Sequence, residues 1–239
     1  MIDLTEYEKQ EQHSEEWFLA RRGKITASQV ANIIGKGRGT EFSKTGMTYI
    51  EDCASELFVP RDIWTSYLDE FNKPSRAKQR GTENEDNARQ AYIKAMCMEP
   101  EQMKQVGFIP WPEDKLVGGS PDGCVPDENV VIEIKCPYTL RAHMEHLAYR
   151  CPDDLKKDNP GYYWQCIMNM MLTDAGACDF ISYHPWFGTQ AQLKVLRIPR
   201  NDDDEMLLQS RLLKATALYR EMAVNVQETH KIIINYADI

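Results

Sequence analysis

Gly118-Gly-Ser-Pro-Asp-Gly123 followed by Val130-Val-Ile-Glu-Ile-Lys135 is the stretch on which the reading of this chain turns. The second segment has the clearest strand pattern in the sequence, rich in β-branched residues and stopped by Pro137. Side chains two apart on a strand share a face. Glu133 and Lys135 therefore project together with Val131, while Val130, Ile132 and Ile134 face the other way, toward a core. Two charges on so apolar a strand are costly unless they are paired or bound to a metal. The first segment ends in an Asp-Gly turn, and a hairpin-like return between Asp122 and Glu133 would bring both carboxylates to one point.

Phosphodiester hydrolysis needs such a grouping. Hard oxygen ligands hold Mg²⁺, which polarises the phosphate and stabilises the leaving oxyanion. A neighbouring lysine can orient or deprotonate the attacking water. The spacing alone fits a blander arrangement equally well: an ordinary Glu–Lys pair on an exposed strand, with Asp122 serving only its turn.

Four features outside this stretch bear on the choice. In Gly81–Tyr92, helical spacing puts Glu85, Ala88 and Tyr92 on one face, with Ala91 and Ala95 nearby, so Glu85 looks inward whereas Glu83 and Asp86 do not. The plainer use of Glu85 is a salt bridge to Arg89. In Gly161–Asn169, Tyr162, Gln165 and Asn169 form a polar stripe on an otherwise apolar helix, and the adjacent methionines read as core filler. Arg21 and Arg22 precede a helix that Thr26 or Ser28 could cap, a plausible phosphate site and otherwise a solvated basic patch. Arg141 opens the helix after Lys135 and could return to the same phosphate.

The remaining pattern predicts helices over Glu15–Ala20, from Thr26 or Ser28 to Ile34, and over Met47–Leu57, Thr82–Met96, Leu140–Tyr149 and Pro160–Leu172, with a long one from Asn201. It predicts strands at Gln105–Trp111, Leu116–Gly119, Val130–Lys135, Asp179–His184 and Gln192–Ile198. Gly35–Gly46 reads as a basic loop and Pro60–Ser75 as irregular. The apolar ending Ile232–Ile239 reads as a last strand or a docking segment. The order predicts an α/β (α+β) fold, a mixed sheet flanked by helices. It is read as one domain over 1–239: a helical part to about 80, a core over about 81–200, and a C-terminal helix and tail over 201–239.

Composition sets bounds. The net charge of −9 argues against a simple basic DNA-binding surface, yet Ala20–Gly46 carries six basic residues against one acid, Glu41. Seven cysteines without a CxxC pair read as reduced, mostly buried thiols rather than a zinc or iron–sulfur site. His143 and His146 lack metal-motif spacing and read as helix-surface residues. No apolar run is long enough for a membrane span, and the polar, acidic start gives no secretory signal, so a cytoplasmic location is expected.

Taken together, W-x3-R-x-G-x-I-T-A-S at Trp17–Ser28, G-x3-E-x2-A-R at Gly81–Arg89, G-x-S-P-D-G at Asp122, E-I-K-C-P at Glu133–Pro137 and Y-x2-Q at Tyr162–Gln165 resemble, in order, the phage lambda-type exonuclease family of viral recombination nucleases. The resemblance implies a restriction-endonuclease-like PD-(D/E)xK core. It implies that Asp122, Glu133 and the carbonyl of Ile134 bind metal and that Glu85 supports a second ion, with two Mg²⁺ expected and Mn²⁺ as a substitute. Lys135 would activate water, Gln165 would place it and Tyr162 would belong to the same face. Arg21, Ser28 and Arg141 would hold a 5′-phosphate. The implied activity is 5′ to 3′ digestion of one strand of linear duplex DNA to mononucleotides, leaving a 3′ single strand for recombination by annealing. The implied setting is a homotrimer encircling duplex DNA ends, beside a single-strand annealing protein, as a phage or prophage product in a bacterial host. A site- or structure-specific endonuclease on the same fold is the alternative.

Overall fold

The computed structural model describes residues 1–71 and 76–231. In chain order the regular elements are α1 (Glu15–Ala20), β1 (Ile25–Thr26), α2 (Lys44–Glu56), α3 (Trp64–Phe71), α4 (Arg76–Ala95), β2 (Ile109–Trp111), β3 (Asp114–Gly119) and β4 (Gly123–Val125). They continue with β5 (Val130–Lys135), α5 (Leu140–Leu147), α6 (Pro152–Asp158), α7 (Pro160–Thr173), β6 (Ala177–Tyr183), β7 (Leu193–Pro199) and α8 (Asp202–His230).

Among the described residues the strands form two sheets, ordered β1-β3-β2 and β4-β5-β6-β7. β5 pairs in parallel with β6 over its whole length, while β4–β5 and β6–β7 are antiparallel. This is the mixed sheet with flanking helices that the sequence predicts. The alternation along β5 also holds: Ile132 and Ile134 pack with Ala88, Tyr92 and Ile93 of α4, whereas Val131 packs into the larger core with α7. A strand covered by a helix on each face explains why VVIEIK is apolar at both parities.

Gly119 ends β3 where two helical segments converge. A Cβ there would lie 2.8 Å from Leu172 Cδ1 and 2.9 Å from the Ala27 Cβ, so only glycine lets α7 and the 3-10 stretch Ala27–Ile33 meet at this strand. The pair Gly118-Gly119 therefore serves packing as well as the turn.

Several expectations are corrected. The helix predicted from Thr82 begins at Arg76, which places Thr82 in its interior, and Ala95 is exposed. The segment read as irregular holds α3, whose Trp64 stacks on Tyr67 at 5.2 Å, with Phe71 5.2 Å further on. Residues 72–75 of it lie outside the described residues, as does the ending Ile232–Ile239. The helix expected after Thr26 is a 3-10 stretch, and Thr26 makes no capping bond with its side chain. Strand Gln105–Trp111 contracts to Ile109–Trp111. The strands β1 and β4, of two and three residues, carry too little periodicity to read, and the seven-residue helix α6 is a further addition to the predicted elements. His143 and His146, expected on the surface, are 0% and 3% exposed, because α5 turns that face onto β6.

All seven cysteines are free thiols; four are buried, Cys136 is half-buried, and Cys97 and Cys151 are exposed. Among the described residues no helix is long and apolar enough to cross a membrane.

The carboxylate of Asp179, fully buried on β6, accepts two bonds of 2.8 Å from Arg197 on β7 and one of 2.7 Å from the Tyr92 hydroxyl on α4. Removing the guanidinium leaves a buried charge with one neutral donor. Arg197→Ala is expected to cost about 3 kcal/mol of stability. Urea unfolding measures it, and a loss under about 1 kcal/mol would show that Asp179 does not depend on the pair.

Candidate active site

An open cleft of about 460 Å³ lies at the C-terminal end of β5, lined by Glu85, Asp122, Glu133, Ile134, Lys135, Tyr162 and Gln165 together with Trp17, Arg21, Ser28 and Ser120. Five stretches of sequence converge there. Asp122 sits one residue before β4, and the antiparallel return to β5 brings it beside Ile134, whose amide donates to Asp122 Oδ2 at 2.6 Å. Glu133, 1% exposed, faces α7: one oxygen pairs with Lys135 Nζ at 2.5 Å and the other accepts from Asn169 Nδ2 at 2.8 Å. Lys135 also donates to Gln165 Oε1 at 3.1 Å, and its ammonium lies 4.9 Å from the centre of the Tyr162 ring. The polar stripe of α7 thus meets the charged face of β5.

Glu85 comes from α4. It pairs with Arg89 at 3.2 Å, the plainer reading of the sequence, and it also faces the cleft. Arg89 joins the two carboxylate sources, since the same Nη2 donates to the backbone carbonyl of Asp122 at 3.2 Å. Glu83 and Asp86 are exposed, as the helical spacing requires.

The electrostatics follow from burial. Burial pushes the Glu133 carboxyl up to about 8 despite Lys135 beside it, with Asp122 and Glu85 adding repulsion. Burial and then the charge of Asp122 push Glu85 up to about 7. Asp122 is raised as well, mainly by burial. Burial works against the Lys135 ammonium, but Glu133 and Asp122 outweigh it and hold its pKa above the ordinary lysine value. Burial thus disfavours the charged form of all three acids, and a bound cation would offset that cost. The donors are hard oxygens throughout, the chemistry that Mg²⁺ or Mn²⁺ requires. Among the described residues no three His, Cys, Asp or Glu side chains as they stand are grouped tightly enough to enclose an ion. Glu133 is instead held by Lys135 and Asn169.

The wall contributed by the N-terminal segment is cationic. Arg21 lies 4.3 Å over the Trp17 ring and contacts Ser120 Oγ at 3.4 Å and Ser28 Oγ at 3.5 Å. Burial lowers its pKa to about 10, so it stays charged. Trp17 Nε1 donates to Ser120 Oγ at 2.9 Å, which ties this wall to the Ser120-Pro121-Asp122 turn. Arg141 is not brought in. Its side chain is 83% exposed, it lies 3.6 Å from Glu145, and it is not part of the cleft lining.

Gln12, His13, Ser120 and Tyr138 also line the cleft and were not singled out beforehand. Trp17 and Ser120 could have been found, since both sit inside the quoted motifs. Gln12 carries no local signal: it reaches the cleft by donating to the carbonyls of Val106 and Pro121, at 2.7 and 2.9 Å.

A model of the YqaJ-like viral recombinase domain matches residues 16–176. The chain belongs to this family. The match spans all five motifs and bears out the resemblance to lambda-type exonucleases. Among solved structures, the chain is similar to the alkaline exonuclease LHK-Exo of Laribacter hongkongensis. One structure of that protein, in complex with dAMP, is 29% identical with a TM-score of 0.73, over 91% of this chain and 98% of that one. A second gives 30% identity and a TM-score of 0.67 over 90% and 100%. A phage-related exonuclease from Haemophilus somnus shares the fold, at 15% identity and a TM-score of 0.66 over 85% and 96%. No curated protein matches the chain.

The raised carboxyls predict a pH dependence. Folded Glu85 and Glu133 keep protons that the unfolded chain, with pKa near 4.5, has lost. Between about pH 4.5 and 8 these two groups bind more protons in the folded state, and their contribution to stability falls as pH rises. The lowered His143, His146 and His184 slope the other way but are common to wild type and Glu133→Gln, so in EDTA the urea midpoint of the wild type measured against that of Glu133→Gln is expected to fall from pH 5 to pH 8.5. A wild-type midpoint that holds or rises relative to Glu133→Gln over this range would show that the cluster is not strained by its charge.

Proposed function

We propose that the chain is a Mg²⁺-dependent deoxyribonuclease that digests one strand of linear duplex DNA from 5′-phosphorylated ends toward 3′, releasing mononucleotides. The observation that carries this reading is one cleft lined by Glu85, Asp122, Glu133, Lys135 and Gln165 and also by Arg21 and Ser28. Family membership and the likeness to LHK-Exo support the nuclease part.

Asp122, Glu133 and the Ile134 carbonyl would hold the metal, with Glu85 completing a second position. Bound there, Mg²⁺ supplies Lewis-acid stabilisation of the phosphate and the leaving oxygen; Mn²⁺ would serve in its place. Glu133 would release its Lys135 partner to become a ligand, since both oxygens are taken up by Lys135 and Asn169. Lys135, freed from Glu133 but still held by Gln165, would orient the attacking water, and would take its proton only after losing its own to solvent, once Glu133 and Asp122 no longer hold its pKa up. The Tyr162 ring beneath the ammonium limits where that nitrogen can go. Arg21, stacked on Trp17 and flanked by Ser28 and Ser120, would grip the terminal phosphate as a charge-assisted donor. Arg141 takes no part in that pocket, since its side chain is turned to solvent.

A strand shortened from its 5′ end leaves a 3′ single strand, the substrate for recombination by annealing. A homotrimer around duplex DNA, a single-strand annealing partner and a phage or prophage origin in a bacterial cytoplasm belong to the same reading. The lambda-type resemblance supports them.

Lys135→Ala is expected to lower the digestion rate by at least about 10²-fold, the range for losing a positioned acid–base group. Digestion of end-labelled linear duplex with and without Mg²⁺ measures it, and undiminished cutting would refute the role. A closed circular duplex is expected to stay intact, and its cleavage would favour the endonuclease alternative. Arg21→Ala is expected to reduce the preference for a 5′-phosphate over a 5′-hydroxyl end by about tenfold, the worth of a charged hydrogen bond. The ratio of the two initial rates reads this directly.

A further inference from the structure

Behind the lysine lies a buried polar cluster that the chemistry above does not use. Ser182 on β6 is registered beside Lys135 on β5, so the two side chains share a face of the sheet. Two histidines of α5 close on its hydroxyl: His143 Nδ1 and His146 Nδ1 each lie 2.8 Å from Ser182 Oγ. His143 Nε2 lies 2.8 Å from the Ala191 carbonyl. Ser182 and His143 are fully buried, and His146 is 3% exposed.

The carbonyl sets the order of the protons. A carbonyl only accepts, so His143 must carry its proton on Nε2. Burial lowers the pKa of His143 and brings that of His146 down to about 4, so both rings are neutral near pH 7. Neutral His143 then has a bare Nδ1, which can only accept, and Ser182 must donate to it. The single hydroxyl proton is thereby used, so Ser182 Oγ accepts from His146, whose proton lies on Nδ1. One backbone carbonyl thus fixes opposite tautomers in two histidines three residues apart on one helix.

His146 is also the link to the cleft. Its ring meets Tyr162 edge-on at 6.0 Å and Phe180 at 5.6 Å, and Tyr162 stacks on Phe180 at 5.8 Å. The Lys135 ammonium sits over the same Tyr162 ring. The ionisable groups around His146 are His143 on its own helix, Tyr149 just beyond that helix at 5.5 Å, Lys135 from β5 and Tyr162 from α7. A charged or turned His146 would set a second cation near Lys135 and unseat the ring beneath it.

We propose that His146, locked by Ser182 and His143 as the Nδ1–H tautomer, is a positioning residue that keeps Tyr162 under Lys135. The proposal rests on the nuclease reading for its effect on rate, but its proton order stands apart from any activity. Long-range ¹H–¹⁵N spectra of the histidine side chains are expected to show His143 as the Nε2–H form and His146 as the Nδ1–H form. If His146 is the Nε2–H form or is cationic at pH 7.5, the proposal fails.

Ser182→Ala removes both hydrogen bonds at a fully buried position. It is expected to lower kcat about tenfold, as the loss of an outer partner of a catalytic group does, with KM for duplex DNA within about twofold. His146→Phe keeps a ring but cannot donate, and the same split is expected; it decides the matter if Ser182→Ala does not fold. Unchanged kcat, or a loss carried by KM, overturns the positioning role. A wild-type protein without nuclease activity would instead sink the functional reading and leave the tautomer result to stand or fall alone.

Discussion

The structure around the site depends on one buried carboxylate. Glu133 is almost fully enclosed between β5 and α7, and it is neutralised there by Lys135 on one oxygen and Asn169 on the other. An isolated charge at such a position would cost many kcal/mol. Its partners come from its own strand and from a helix more than thirty residues on, so the requirement ties α7 to the sheet in a fixed register. Gln165 and Tyr162, one and two turns earlier on that helix, are set over Lys135 as a result.

That constraint explains what could be read beforehand. β5 was legible because strand alternation and charge pulled against each other at Glu133 and Lys135. The α7 stripe was legible because three polar residues repeat at helical spacing in an apolar segment. Glu85 was legible by the same geometry. In each case the signal is local, carried within a turn or two of one element.

What could not be read is long-range or sits at an irregular end. Gln12 reaches the cleft through backbone carbonyls roughly a hundred residues away. Arg89 appeared as half of a helix-surface pair, yet it also grips the Asp122 carbonyl from inside the fold. His143 and His146 looked like surface residues because nothing within α5 shows that β6 covers that face. Arg141 was near Lys135 in sequence but does not line the cleft, since it sits in the first turn of α5 with its side chain exposed to solvent.

The two walls of the cleft differ in how far apart in the chain their parts lie. Asp122 and Glu133 are brought together by β4 and β5, a hairpin of neighbouring residues. Arg21 and Ser28 flank β1, a strand of two residues that pairs in parallel with β3, Ile25 opposite Val117. Closing a loop of that length carries more entropy than closing the hairpin. Pairings so distant also tend to form late. Topology therefore makes the Asp122–Glu133 pair the quicker to assemble, and the Arg21–Ser28 segment the one that waits for β1 to reach β3 about ninety residues on.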